Sequence, residues 1–380
     1  MIHVGFNLVF MVPGQTGGME VAARELIPAL RDAAPGIRFT AFVCREAAGE
    51  ELGVETVVVP VEATRRVEWV RGEQQLLPGL ARRAGCDLVH SLASTAPARG
   101  RFARVTTIHD LNYLVVPDAH FGLRGIGMRV LVPLAARTSH RVIADSQSTR
   151  DDLVARLRVP AAKIDVVPLG LGQPATAEPT PAAELRERLA LGDRPLVLSL
   201  SAKRPHKNLR GLLDALALIP AERRPVLVLP GYPTPHEAEL RAHAGALGIA
   251  ADVRFLGWTS GSDVEGLFAL TRAFVFPSFY EGFGLPVLEA MARGVPVACS
   301  DRASLPEVAG DAALLFDPDD PSAIAAALER LLGDPAEAER LAAAGREQAA
   351  RFTWAKAAGL TLAAYERALA AASRRAAGAP

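Results

Sequence analysis

The sequence predicts an α/β protein built from two doubly wound parallel sheets, each covered by helices on both faces. Three observations lead there. Short runs of Val, Ile, Leu and Phe alternate with segments of helical period over nearly the whole chain, as strands buried on both faces require. The Pro-rich, apolar-poor stretch GLGQPATAEPTPAAE, 170–184, interrupts the alternation once, after which it starts again. A length of 380 residues suits two or three domains of ordinary size.

The first series places strands near 2–10, 38–44, 55–60, 87–91, 104–109 and 140–145. Its opening residues, MIHVGFNLVFMVPG, are apolar enough for a signal segment. They lack a basic start and a small-residue cleavage site, so a buried first strand is expected instead. In the second series PLVLSLS, PVLVLP, VRFLG, AFVFPS and PVACS read as five strands, separated by helices such as 209–219 and 236–247. The Ala-rich tail carries Leu360, Ala364 and Leu369 on one stripe and is expected to be a terminal helix crossing back to the first domain. The expected domains are therefore 1–170 and 185–352, joined by a linker at 171–184 and followed by the helix at 353–380. In such sheets the default ligand site is a central cleft outside the carboxyl ends of the strands.

Composition excludes several classes of function. Lys plus Arg and Asp plus Glu both number 42, so the basic footprint of a nucleic-acid binder is missing and no nucleic-acid partner is expected. Any local basic cluster then serves a small anion. Cys44, Cys86 and Cys299 show no paired spacing, which predicts neither disulfides nor zinc and fits a reducing, cytoplasmic compartment. The most apolar later stretch, 125–144, is interrupted by Arg129, Arg137, His140 and Arg141, so no membrane span is expected. The histidines have no metal-ligand spacing, and Asp317 with Asp319 reads as turn and cap chemistry, so no metal site is expected.

The richest stretch is AFVFPSFYEGFGLPVLEAMARGVPVACSD, 273–301. A buried strand runs into a loop with Gly282 and Gly284, Pro286 suits the first turn of a helix, and Gly294 closes that helix. Such a helix start favours an anion. Glu281 and Glu289 can accept hydrogen bonds from sugar or ribose hydroxyls, although Glu289 is also placed to compensate the helix dipole. Gly282-Phe-Gly284 with Asp301 further on also resembles a dinucleotide fingerprint, against which Val287 stands where a third small residue is needed. The second cluster, Lys203, Arg204, His206, Lys207 and Asn208, directly follows the first strand of the second domain and suits a diphosphate. Its alternative is a solvated basic loop. In the first domain, Gly14, Gly17 and Gly18 lie between the first strand and its helix, with Glu20 in the first helical turn, and His109-Asp110 ends another strand.

These residues together resemble the retaining glycosyltransferases of family 4, which have the GT-B fold of two Rossmann-like domains. The resemblance rests on Glu281-Gly-Phe-Gly-Leu-Pro-Val-Leu-Glu289, on the Gly17-Gly18-Met-Glu20 loop, on His109-Asp110, on the Ser146 segment ADSQSTRDDL and on Lys207-Asn208, in the family's order. It implies that Glu289 holds the ribose, and that Glu281 and His109 contact the donor sugar. Gly282, Phe283, Gly284 and Leu285 would face the sugar and phosphates, while Lys207, with Lys203 or Arg204, neutralises the diphosphate. The Gly17-Gly18 loop would close over it. Ser201-Ala202 departs from the family's Gly-Arg and leaves the second cation open between Lys203 and Arg204. The implied reaction moves a mannose-, glucose- or GlcNAc-type hexose from a UDP or GDP donor to a hydroxyl acceptor (glycan, lipid-linked sugar or small molecule) by same-face displacement, with no metal and no other cofactor. An NAD(P)-dependent oxidoreductase and a non-catalytic sugar-nucleotide binder are the alternatives. Loops 61–75 and 110–125 are expected to select the acceptor, and Arg124, Arg129 and Arg137 to allow peripheral contact with the inner membrane face.

Overall fold

A computed structural model describes residues 1–116, 123–171, 178–232 and 234–377; parts of the expected linker (172–177) and acceptor loop (117–122) lie outside the described residues. The described chain divides into two units, the first holding 1–114, 123–171 and 352–377, the second 115–116, 178–232 and 234–351.

The sheet of the first unit contains β1 (His3–Leu8), β2 (Arg38–Val43), β3 (Glu55–Val58), β4 (Leu88–Ser91), β5 (Ala103–Ile108), β6 (Arg141–Ala144) and β7 (Ile164–Val166). All pairings are parallel, in the order β3-β2-β1-β4-β5-β6-β7. Val4 of β1 lies between Phe39 and Leu88, and every residue of β1 is buried, the polar His3 and Asn7 among them with hydrogen-bond partners. Gly5 has no room for a side chain, since a Cβ there would stand 2.7 Å from the Phe42 ring. β7 was not expected: three residues at the sheet edge, with only Ile164 buried, are too short for a hydrophobic pattern to register.

The helix Gly18–Ala33 buries Ala22, Ala23, Leu26, Ile27 and Leu30, one face of a helical period. Against it, and against β5 and β6, packs the terminal helix Trp354–Ala377, so the tail does return to the first unit. Three anchors hold its course. Leu171 donates its N–H to the Phe352 carbonyl at 3.0 Å, Tyr365 Oη meets His90 Nδ1 at 2.8 Å, and Arg367 pairs with Asp165 at 2.8 Å. Gly170 lies flush on Trp354, where a Cβ would come within 2.3 Å of backbone.

The second unit holds β8 (Leu196–Leu198), β9 (Val226–Leu229), β10 (Val253–Phe255), β11 (Thr271–Phe276), β12 (Val297–Ser300) and β13 (Ala313–Phe316), in the order β10-β9-β8-β11-β12-β13. Five strands were expected and six are present. β13 is an edge strand with only Phe316 buried, so its pattern carries little signal. On one face of this sheet Leu209, Leu212, Leu213 and Leu216 of the helix Leu209–Leu218 pack with Ile324, Leu328 and Leu331 of the helix Pro321–Gly333.

Both sheets reverse their strand order once, between β1 and β4 and between β8 and β11. In open parallel sheets the loops leaving the carboxyl ends at such a reversal splay to opposite faces and open a crevice. Asn7 and Ser91 stand there in the first unit, and the segments after Leu198 and Phe276 in the second.

Candidate functional site

In the second unit the two richest motifs leave neighbouring strands at the reversal. The turn Pro205–Lys207 follows β8, and Asn208 then takes a left-handed conformation (φ 51°) that an asparagine tolerates. Its Oδ1 accepts from the Gly211 N–H at 3.2 Å and caps the helix Leu209–Leu218, while its Nδ2 donates to the Pro318 carbonyl at 2.7 Å. Asn208 thus fixes where Lys207 leaves the chain. The Phe279 N–H donates to the His206 carbonyl at 2.9 Å and joins this turn to the loop after β11. Across that junction Lys207 Nζ donates to Glu281 Oε1 at 2.6 Å and stands 5.4 Å from the centre of the Phe276 ring, with both charged groups half-buried.

The loop 281–284 is held from behind. Ser304 Oγ donates to the carbonyls of Glu281, at 3.0 Å, and Phe283, at 2.5 Å. Gly284 has φ +121°, and a Cβ there would lie 2.7 Å from Leu305, so only glycine fits. The helix Leu285–Ala292 follows, with Pro286 in its first turn, and Gly294 (φ +68°) ends it as the sequence predicts. On this helix the Glu289 carboxylate accepts no hydrogen bond from any described residue. Burial pushes its pKa up, against the pull of Arg293, whose guanidinium is already engaged by Glu265 and by the Glu289 carbonyl at 2.9 Å. A half-buried carboxylate with unused acceptor capacity suits a hydroxyl-bearing ligand.

Lys203 and Arg204 separate sharply. Lys203 is fully buried, and its ammonium donates to the Gly231 and Leu256 carbonyls, which staples together the loops after β8, β9 and β10. Burial lowers its pKa to about 8. Arg204 is half-exposed, donates from Nη2 to Tyr232 Oη at 3.0 Å and lies over that ring at 6.0 Å. Of the two, Arg204 is the one with a guanidinium that reaches solvent.

In the first unit Gly14 (φ +72°) and Gly17 (φ +60°) take backbone conformations that side chains disfavour, and Cβ atoms at Gly14, Gly17 or Gly18 would meet nothing within 4 Å. The loop is fixed from one side by Glu20, whose carboxylate accepts from the Gly14 N–H at 3.0 Å, from Thr16 Oγ at 3.0 Å and from Arg24 at 2.9 Å. Its other side is open. His109 follows β5, with Nδ1 2.6 Å from Asp145 Oδ2 and Nε2 2.7 Å from the Leu92 carbonyl. Both ring nitrogens face acceptors, and only the doubly protonated ring donates to both. Burial works against that charge, but the Asp145 carboxylate outweighs it and raises the pKa to about 9.

Three contributors escaped the sequence reading. Asp145 lies inside the quoted segment ADSQSTRDDL, but its service to His109 depends on β5 and β6 being neighbours. Ser304 carries no local signal. Glu73, in the short turn Gly72–Leu76, is buried and accepts from Asn7 Nδ2 at 3.0 Å, Thr95 Oγ at 2.8 Å and Gln74 Nε2 at 2.9 Å, and burial raises its pKa. Asn7 also donates to Ser91 Oγ at 3.0 Å, so this polar knot sits at the strand-order reversal of the first sheet. Among the described residues no group of three His, Cys, Asp or Glu could hold a metal ion, and no helix is long and apolar enough to cross a membrane.

Comparison with known proteins agrees with this geometry. Residues 16–171 match glycosyltransferase family 4, and residues 182–348 match glycosyl transferases group 1. The chain is 34% identical over 265 residues to the O-antigen chain mannosyltransferase B of Escherichia coli, covering 69% of this chain and 70% of that protein. It is 32% identical over 276 residues to the GDP-mannose-dependent alpha-(1-6)-phosphatidylinositol monomannoside mannosyltransferase of Mycolicibacterium smegmatis, covering 69% of this chain and 68% of that one. In fold it resembles the Anabaena protein HepE, solved with UDP-glucose, at a TM-score of 0.76 and 21% identity over 96% of this chain and 100% of the other.

Proposed function

The chain belongs to the family 4 glycosyltransferases, with the GT-B fold, and on that premise we propose that it transfers mannose from GDP-mannose to a hydroxyl acceptor, with retention of anomeric configuration and without a metal. The observation that carries this reading is the Lys207–Glu281 pair at the carboxyl ends of β8 and β11, followed along the next helix by the open carboxylate of Glu289. Mannose and GDP are favoured because two relatives above 30% identity are named mannosyltransferases and one of them GDP-mannose-dependent.

In this proposal Glu289 holds the ribose hydroxyls, and Lys207 and Arg204 meet the diphosphate. Lys203 is given a structural role instead, because its ammonium is spent on two carbonyls. Glu281 and the 282–285 backbone are assigned to the donor sugar and the Gly17-Gly18 loop to the diphosphate; His109, whose two ring nitrogens are engaged by Asp145 and the Leu92 carbonyl, is assigned to the sugar through its ring face and not through a hydrogen bond. The acceptor oxygen bonds to the anomeric carbon as the bond to the β-phosphate breaks, and the acceptor proton passes to a leaving phosphate oxygen. No protein nucleophile is needed. The developing charge is met by fixed cations and a helix start, which need no reorganisation during the step. A cytoplasmic enzyme with peripheral membrane contact is part of the same proposal, supported by the exposed Arg129 and Val130 on the helix Leu123–Thr138.

The test is calorimetry with GDP, UDP, ADP, TDP, CDP and NAD(H), with and without EDTA, followed by product analysis with GDP-mannose and a panel of hydroxyl acceptors. EDTA-insensitive GDP binding and an α-mannoside product support the proposal. A β product removes retention, UDP binding replaces the donor, and donor binding without turnover on any acceptor leaves a sugar-nucleotide binder. The oxidoreductase alternative has lost its ground with the family match, and buried Val287 stands where a dinucleotide site needs a small residue.

A further inference from the structure

The loop that gives His109 its second hydrogen-bond acceptor is held by the polar knot at the strand-order reversal of the first sheet. Residues 92–97, which leave β4, are buried throughout. From this loop the Leu92 carbonyl accepts from His109 Nε2 at 2.7 Å, and Ser94 Oγ accepts from the His109 backbone N–H at 3.4 Å. With Asp145 at Nδ1, the ring is held at both nitrogens, and the two bonds together fix its plane. Ser94 itself takes φ +63° and donates its N–H to the Thr107 carbonyl at 2.9 Å. A side-chain-bearing residue keeps a left-handed backbone only where its surroundings hold it there.

One wide, π-helical turn, Gly72–Leu76, does the holding. Gly72 lets this turn lie close, since a Cβ there would stand 2.6 Å from Val61 and 3.1 Å from Val9. Two consecutive side chains of the turn then reach the loop. Thr95 Oγ donates to Glu73 Oε2 at 2.8 Å, while Gln74 Nε2 donates to the Ala96 carbonyl at 2.9 Å and Gln74 Oε1 accepts from the Ala98 N–H at 3.0 Å. Gln74 Nε2 also donates to Glu73 Oε1 at 2.9 Å, and Asn7 Nδ2 joins Glu73 to Ser91 at the end of β4. Every bond between the turn and the histidine therefore passes through loop 92–98.

We propose that Glu73 and Gln74 are positioning residues for His109, acting through loop 92–98. They fix the Leu92 carbonyl, and that carbonyl, with Asp145, fixes the plane of the imidazole and so the face it offers. Asp145 and Asp110 set the charge of the ring; the loop sets its direction. Single π-helical turns of this kind are frequent at functional sites.

The bearing on sugar transfer rests on the function proposed above, so the deciding measurement does not use activity. Against burial, Asp145 and Asp110 raise the pKa of His109 to about 9, so at neutral pH the ring carries a proton on each nitrogen. In the full-length protein with 15N-labelled histidine the two protons are read separately, assigned by their loss in His109→Gln. The isosteric Thr95→Val removes the bond to Glu73, and Gln74→Met, at a half-buried position, removes both bonds from Gln74 to the loop. Gln75→Met, on the exposed neighbour in the same turn, is the control. With melting profiles unchanged, Thr95→Val and Gln74→Met should each speed exchange of the Nε2 proton with water about tenfold, leave the Nδ1 proton within about twofold of the wild type, and Gln75→Met should alter neither. In mannosyl transfer the two variants should lower kcat about tenfold with the donor KM within about twofold. Unchanged Nε2 exchange in Thr95→Val removes Glu73 from the role, unchanged exchange in Gln74→Met removes Gln74, and both together overturn the proposal. Equal acceleration of the two ring protons also overturns it, because a general loosening of the fold would release both. Should the wild type transfer no sugar, the exchange rates still decide the positioning, and the failure falls on the functional reading alone.

Discussion

Replacing Lys207 by Ala tests the arrangement most directly. If Lys207 meets the diphosphate as proposed, the substitution removes a charge-assisted contact worth about 1.5–3 kcal/mol. It also strips Glu281 of a cation 2.6 Å away, so a half-buried carboxylate is left facing the ligand's phosphates. With solvent screening that repulsion adds roughly 1–2 kcal/mol. The expected loss of GDP affinity is therefore about 2.5–5 kcal/mol, roughly 10² to nearly 10⁴-fold, measured by titration calorimetry at fixed ionic strength. Adding Glu281→Gln to Lys207→Ala should restore affinity to within about 10- to 100-fold of the wild type, because the repulsion goes while the missing contact remains. Guanosine, which carries no phosphate, should bind equally to all three proteins. GDP affinity within twofold of the wild type in Lys207→Ala, or no recovery in the double variant, would refute the placement of the pair at the diphosphate.

The remaining expectations concern the frame of the site. Glu289→Ala should weaken GDP much more than pyrophosphate in the same calorimetric comparison, and equal losses would contradict the ribose assignment. Gly284→Ala forces a side chain into φ +121° and against Leu305, so the melting midpoint should fall, corresponding to about 1–3 kcal/mol, together with donor affinity. Tyr365→Phe leaves His90 Nδ1 without its partner in a buried site and should cost about 1–3 kcal/mol in denaturant unfolding; an unchanged midpoint would mean that the terminal helix does not depend on this bond. Glu73 has a folded pKa above its ordinary 4.5, so the stability it confers is present at low pH and lost as pH rises through that folded value. The melting temperature of Glu73→Gln should accordingly gain on that of the wild type as pH rises from about 4.5 to 8. A constant difference across that range would show that the group does not titrate.

Much of the architecture is local and therefore legible. Parallel strands buried on both faces need largely apolar runs, and such runs mark β1, β2, β9 and β11 directly. The loop 281–284 is legible for a similar reason: a left-handed Gly284, Pro286 in the first turn and Gly294 at the end are conformational demands written as residue types. The edge strands β7 and β13 were missed because an edge buries too little to impose a pattern. Glu73 was missed because a buried carboxyl is recognisable only once Asn7 and Thr95 are known to surround it.

The sequence by itself determined the two-sheet organisation, the family, and the charged and glycine-rich segments that leave the strand ends, because each is a property of neighbours along the chain. Only the tertiary structure decided what those charges do. Lys203 and Arg204 are adjacent and both cationic, yet the segment after β8 turns one into a bed of carbonyls and leaves the other facing solvent. Against burial, the Asp145 carboxylate just past the neighbouring strand β6 raises the pKa of His109, and Asp145 lines the same pocket as Trp354 of the helix Trp354–Ala377. Burial and the distance between charges set these outcomes, and both arise only when segments remote in sequence are packed together.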